Sequence, residues 1–118
     1  MWTGDNEAVF DEMRASIHTI LSLGVSGIVF SGADVPGYSG SPTDSLKIAF
    51  YQLGVFYPFM RAHAHKDNAY DREPYIGPER VISAIREALF LRYSLAHYIY
   101  WLFYVSSQTG MPLMRPMW

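Results

Sequence analysis

Three short stretches carry side chains able to move a proton or grip a polar ligand. In "WTGDN", Asp5 lies between Gly4 and a helix-like run, with Trp2 nearby. Asp5, or Asn6 beside it, fits the N-cap of that helix. Asp5 equally fits a loop carboxylic acid beside an apolar wall, an arrangement that general acid catalysis uses near neutral pH. In "SGADVPGY", Asp34 directly follows a short apolar run. An Asx turn stabilising the Gly-rich loop would explain it. So would ligand binding, since the C-terminal ends of parallel strands are where α/β folds bind ligands. In "RAHAHKD", His63, His65 and Asp67 share one face if the chain is extended, which would suit a metal such as zinc. Arg61 and His63 acting as hydrogen-bond donors to a polyhydroxylated or anionic ligand is a second reading, and a satisfied structural pair a third.

The elements that must position these residues follow from apolar spacing. From Glu7 onward, Met13, Ile17, Ile20 and Leu21 recur at helical intervals, and the glycines of "LGVSG" stop the helix. The wholly apolar "IVF", residues 28–30, predicts a strand buried on both faces. Loop chemistry in "SGADVPGYSGSP" leads to a second helix with Ser41 as cap, Pro42 at the first position and Asp44 in the first turn, ended or kinked by Pro58. Residues 63–79 read as polar loop. A long helix from about Pro78 carries Val81, Ile82, Ile85 and Leu89 on one stripe and closes at Gly110. The final "LMRPM" is a candidate strand weakened by Pro116. Helix–strand alternation argues for an α/β fold with parallel strands, and two such strands need further neighbours to make a sheet.

Composition narrows the function. The 118 residues are 50% hydrophobic and 17% charged with a net charge of −2, which provides no basic field for nucleic acid. There is no cysteine, and so neither a disulfide framework nor a thiolate metal site. No phosphate-binding glycine motif, G-x-S-x-G elbow or H-E-x-x-H occurs, and no cofactor is expected. The N-terminal residues carry no secretory signature, Asp5 and Glu7 standing where basic and apolar regions would be needed. The stretch 89–105, "LFLRYSLAHYIYWLFYV", is interrupted by Arg92 and His97, and reads as a buried helix with "YIYWLFY" in the core rather than a membrane span.

Taken in order, "WTGDN", "GVSGIVFSGADVPGY", "YQLGVFYPFMRAHAH", "REP", "IREALFLRYSL" and "MPLMRPMW" resemble glycoside hydrolase family 31, the α-glucosidase family. "RAHAH" followed by "REP" is most similar to its glucosidase II branch, whose members trim glucose from N-linked glycans in the endoplasmic reticulum lumen with a regulatory β subunit. The resemblance implies a (β/α)8 TIM barrel. Residues 1–118 would form a single, helix-rich part of it, from the loop after strand six through strand eight, with Met1 an internal or artificial start. It also implies that Asp5 is the acid/base, that Trp2 is an aromatic wall, and that Asp34, Tyr38, Arg61 and His63 hold the terminal glucose of an oligosaccharide. The family's attacking aspartate sits in a tryptophan- and asparagine-rich motif that residues 1–118 do not contain, so the chain alone should be inactive. In that case a non-catalytic carbohydrate-binding role is the alternative. The sequence departs from the family at Pro36 and Tyr38, where Gly and Phe are usual, and at Ala49, Ala96 and His97, where Arg, Leu and Pro are usual.

Overall fold

The computed structural model describes residues 1–68 and 72–117. The expected loop residues 69–71 and the last residue of "MPLMRPMW", Trp118, lie outside them. Six elements follow in order: α1 (Phe10–Val25), β1 (Asp34–Val35), α2 (Asp44–Gly54), β2 (Arg61–Ala62), α3 (Glu79–Ser94) and α4 (Ala96–Thr109). β1 and β2 pair in parallel, Asp34 opposite Arg61 and Val35 opposite Ala62, and α2 makes the crossover that a parallel pair requires. On the other side of β1, Trp2 bridges Gly32, also in parallel. Three chain segments thus run side by side in one direction, with α2 packed on β1 and α3 packed on α2.

The ladder is displaced from its expected place. Residues 28–30 form no strand; the Ile28 amide is spent on the Leu23 carbonyl in the turn that closes α1. Cross-chain bonding begins only at Phe30, whose carbonyl accepts from the Met1 amino group, and continues with Phe59 N to Ser31 O and Thr3 N to Gly32 O, both 3.0 Å. β2 falls in "RAHAH", just ahead of the expected loop, and "LMRPM" forms no strand. That segment lies instead on α1, where a Cβ on Gly24 would stand 3.0 Å from Pro112 Cβ and 3.3 Å from Met114 O.

The helix ends also differ in detail. α1 begins at Phe10, and its N-cap is Val9 with no side-chain bond, so neither Asp5 nor Asn6 caps it. Residues 6–9 are occupied otherwise, with Ala8 N bonded to Ser39 O and Glu7 bridged to Ser39. α2 is capped by Thr43 rather than Ser41, its side chain accepting from Leu46 N at 3.2 Å, and it ends before Pro58. The long C-terminal helix is two helices meeting at Leu95. Gly110 closes the second in a left-handed cap, φ 74°.

The core gathers where α2 meets β1 and α3. Phe50, Tyr51, Tyr57, Leu46, Ile20 and Val35 are buried, with Val81 and Ile85 from the expected α3 stripe. Each large side chain of this kind contributes about 1.5–3 kcal/mol by leaving water. The aromatic run of α4 is not core. Tyr98, Tyr100, Trp101 and Tyr104 are all more than half exposed, and only Leu102 and Ser106 of α4 are buried. No helix among the described residues is long and apolar enough to cross a membrane.

Two core phenols give the fold a defined alkaline limit. Burial pushes the Tyr57 pKa up to about 12, partly offset by its hydrogen bond with Ser16; burial, and then the Glu73 charge, also raise Tyr51. Both phenols ionise more readily in the unfolded chain. Their contribution is therefore intact below the ordinary tyrosine value and is lost as pH rises through about 12. These phenols add no pH dependence to the melting midpoint below about pH 10; above it the midpoint should fall, with a shallower fall in Tyr57→Phe. An unchanged slope in that variant would exclude Tyr57 as a contributor.

Candidate active site

Because the three segments run parallel, their C-terminal ends open on one rim. Asp5, the loop after Asp34, and His63–His65 all follow those ends, where ligands bind in parallel α/β folds. Successive residues of a strand face opposite ways. Val35 faces α2, since a Cβ on Gly54 would lie 3.0 Å from Val35 Cγ2, so Asp34 projects to the face away from the helix.

Asp34 is fully buried. Its Oδ1 accepts from Arg61 Nε at 2.8 Å across the β1–β2 register, so it belongs to a strand ion pair and not to an Asx turn. Its Oδ2 has no hydrogen-bond partner among the described residues. A buried carboxylate with one oxygen anchored and one unpartnered suits a hydroxyl donor, because burial makes any bond to it strong and an unmet need costly. Arg61 is oriented further by two rings, with its guanidinium carbon 5.8 Å from the Trp2 ring centroid and 5.4 Å from that of Phe59.

Tyr38 sits between two imidazoles, 5.6 Å from His63 and 5.5 Å from His65, the latter edge-on. Its backbone is held on three sides. Tyr38 N donates to Asn6 O at 2.7 Å, while Tyr38 O accepts from His65 N at 2.8 Å and from Asn68 Nδ2 at 2.6 Å. Asn6 is buried and links two segments, its Nδ2 donating to Asp34 O at 3.1 Å and its carbonyl also receiving Ser39 N. Asp5 precedes it on an exposed bend, with no side-chain hydrogen bond among the described residues. Trp2, Asp34 and Arg61 are therefore one contact set and Tyr38 and His63 another. Asp5 joins the first through the Asn6 side chain and the second through the Asn6 backbone carbonyl.

The metal face that an extended chain would give does not form. The chain turns at Lys66–Asp67, taking Asp67 off the extended line, and Asp67 N donates to His65 Nδ1 at 3.2 Å. Among the described residues no three His, Asp or Glu side chains converge on a possible metal position. A polar recess of about 300 Å³ does lie here, bordered by His63, His65, Asn68, Arg72 and Glu73. A larger one of about 590 Å³ is lined mainly by apolar groups of α3 and α4, and by neither Asp5 nor Asp34.

Two residues of this region went unrecognised in the sequence. The sequence marks Asn6 only as a candidate cap, and Arg72 only as part of "REP". Arg72 is 3% exposed and donates from Nε to Gly37 O at 3.0 Å and from Nη2 to Gly40 O at 2.6 Å. Burial lowers its pKa, and the Glu73 charge works against that.

Parallel strands joined by a helical crossover, with acidic, basic and imidazole groups gathered beyond their C-terminal ends, are the design of a catalytic β/α barrel. Residues 1–102 match the Glycosyl hydrolases family 31 TIM-barrel domain, and the chain belongs to that family. It is 49% identical over 118 residues to the "Probable glucan 1,3-alpha-glucosidase" of Oryza sativa subsp. japonica, covering all of this chain and 13% of that protein. Over 116 residues it is 46% identical to the "Glucosidase 2 subunit alpha" of Saccharomyces cerevisiae, covering 98% of this chain and 12% of that protein. A crystal structure of a glucosidase II alpha subunit superposes with a TM-score of 0.91 at 48% identity, over 95% of this chain and 12% of that one. The chain thus spans about an eighth of the length of these relatives, which are glycoside hydrolases.

Proposed function

We propose that residues 1–118 are the closing part of the catalytic barrel of a retaining α-glucosidase, from the loop after strand six through strand eight. Asp5 is the acid/base, and Trp2, Asp34, Tyr38, Arg61 and His63 hold the terminal glucose. The observation that carries this reading is the pairing of buried Asp34 with half-buried Arg61 on the strand register, which leaves the second Asp34 oxygen buried and without a partner among the described residues. In a retaining mechanism, one carboxylate attacks the anomeric carbon while a second, about 5 Å away, protonates the departing glycosidic oxygen. The same group, now a carboxylate, then takes a proton from the water that releases the sugar. Asp5, exposed and without a side-chain hydrogen bond among the described residues, is sterically free to face the departing oxygen. The attacking carboxylate belongs to another part of the barrel.

The proposed substrate class is a glucose-capped mannose oligosaccharide of the N-glycan type, trimmed in the endoplasmic reticulum lumen. Support comes from structures of glucosidase II alpha subunits described as Glc1Man2-bound, alpha3-Glc2-bound and DNJ-bound. One such subunit is seen in a heterodimeric complex with the binding domain of its regulatory subunit, and a similar partner is proposed here.

A chimera tests the assignment. Residues 1–118 replace the homologous segment of the yeast Glucosidase 2 alpha subunit, and hydrolysis of a chromogenic α-glucoside and of a glucose-capped mannoside is measured. The chimera should turn over both, and the isolated 118-residue chain neither. A chimera that melts like its host yet hydrolyses nothing would overturn the reading. So would turnover by the isolated chain that disappears in Asp5→Asn.

A further inference from the structure

We propose that Arg72 is a positioning residue that sets the grip of the sugar site without touching the sugar, an inference that rests on the glucosidase reading above. Its guanidinium bonds the carbonyls of Gly37 and Gly40, which bracket Tyr38 and Ser39. Two donors fixed in one plane hold those carbonyls at a set separation and angle. The span between them therefore cannot widen or twist without breaking a charge-assisted bond in a buried place.

The anchor is itself anchored. Tyr51, buried in α2, donates its hydroxyl to Arg72 O at 2.5 Å. From the other side the loop meets α1's approach, since a Cβ on Gly37 would lie 2.5 Å from Ala8 Cα, and Gly37 has φ +122°. Gly37 is thereby held between Ala8's segment and Arg72, and the ring of the next residue, Tyr38, stands beside His63 and His65. Arg72 and both histidines also border the same polar recess. Arg72 governs the shape of the wall made by Tyr38 and His63, whereas Asp5 is placed by Asn6. Loss of Arg72 should therefore loosen sugar binding and leave the proton shuttle in place.

The test uses Arg72→Lys in the yeast chimera, because lysine keeps the charge and loses the fork. KM for the chromogenic α-glucoside and the dissociation constant of deoxynojirimycin, read by tryptophan fluorescence, should both rise about tenfold, with kcat within about threefold. Unchanged KM and inhibitor affinity would overturn the proposal. A fall in apparent kcat alone, matching the fraction of folded enzyme, would overturn it too. If Arg72→Lys does not fold, Tyr51→Phe removes the bond to the Arg72 carbonyl and should weaken inhibitor binding in the same direction; unaltered binding there counts against the proposal. Asp5→Asn, run in parallel, separates the two ideas. Wild-type turnover in that variant sinks the glucosidase reading, whereas the inhibitor measurement needs no turnover and tests Arg72 by itself.

Discussion

Asp5→Asn in the yeast chimera should lower kcat/KM for an unactivated α-glucoside by about a hundred- to ten-thousandfold, the usual worth of a positioned general acid. The structure makes this a clean substitution. Asp5 is exposed and has no side-chain hydrogen bond among the described residues, so asparagine of the same shape leaves the Asn6 links and the Asp34–Arg61 pair in place. The loss should depend on the leaving group. A glucoside of a strongly acidic phenol departs without protonation, so its first step is nearly spared and the covalent intermediate accumulates, lowering KM. Azide needs no base to attack that intermediate, and should restore turnover by displacing the enzyme carboxylate to give a glucosyl azide. Equal losses for good and poor leaving groups, with no azide effect, would remove Asp5 from the acid/base role.

Gly32→Ala should be among the most damaging single substitutions for stability. A Cβ there would stand 1.8 Å from Phe59 O and 2.9 Å from Phe59 C, well inside contact distance. The obstacle is backbone of the neighbouring segment, which cannot swing aside as a flexible side chain could. Relief requires separating Ser31–Gly32 from Phe59, next to the bond between Phe59 N and Ser31 O. Overpacking costs about 1–3 kcal/mol and occasionally more, and the upper end applies where two main chains collide. The chimera carrying Gly32→Ala should inactivate at a distinctly lower temperature than its parent. Its residual activity should also be low, because Asp34 and Arg61 sit just beyond the forced opening. An unaltered inactivation midpoint would show that the two segments separate more freely than this packing implies.

What could be read in the sequence was what one helix turn or one loop can encode. The α3 stripe of Val81 and Ile85, the acidic first turn at Asp44 and the Gly110 cap all appear as expected. Trp2, Asp5, Asp34, Tyr38, Arg61 and His63 stand out in the sequence by their places in three short stretches and by the family resemblance. The structure brings Arg61 against Trp2 and Asp34 and sets Tyr38 beside His63. The strands were not legible. Two-residue strands leave no periodicity, and the apolarity of "IVF" says that a segment avoids water without saying which of its amides will find partners. The exposure of the α4 aromatics is hidden in the sequence for a related reason. Tyr98 and Trp101 are apolar enough for a core, yet they stack on one another at 6.2 Å with more than half of each exposed. Arg72 escaped notice because its bonds span 32 and 35 residues, and no local pattern marks a residue whose partners are distant carbonyls.

Asn6 has a consequence for how such a site could be altered. The buried side-chain amide of Asn6 joins the loop bearing Asp5 to the strand bearing Asp34, and the Asn6 backbone carbonyl fixes Tyr38 and Ser39. The three rim segments therefore do not behave as interchangeable parts. A length change in the Tyr38 loop would break the hydrogen bonds from Tyr38 N and Ser39 N to the Asn6 backbone carbonyl and so disturb the loop bearing Asp5. A side-chain substitution can keep those bonds. Altered sugar preference should accordingly be sought by exchanging residues 2–9 and 31–41 together as a matched pair, with single-loop transplants giving poorly assembled hybrids.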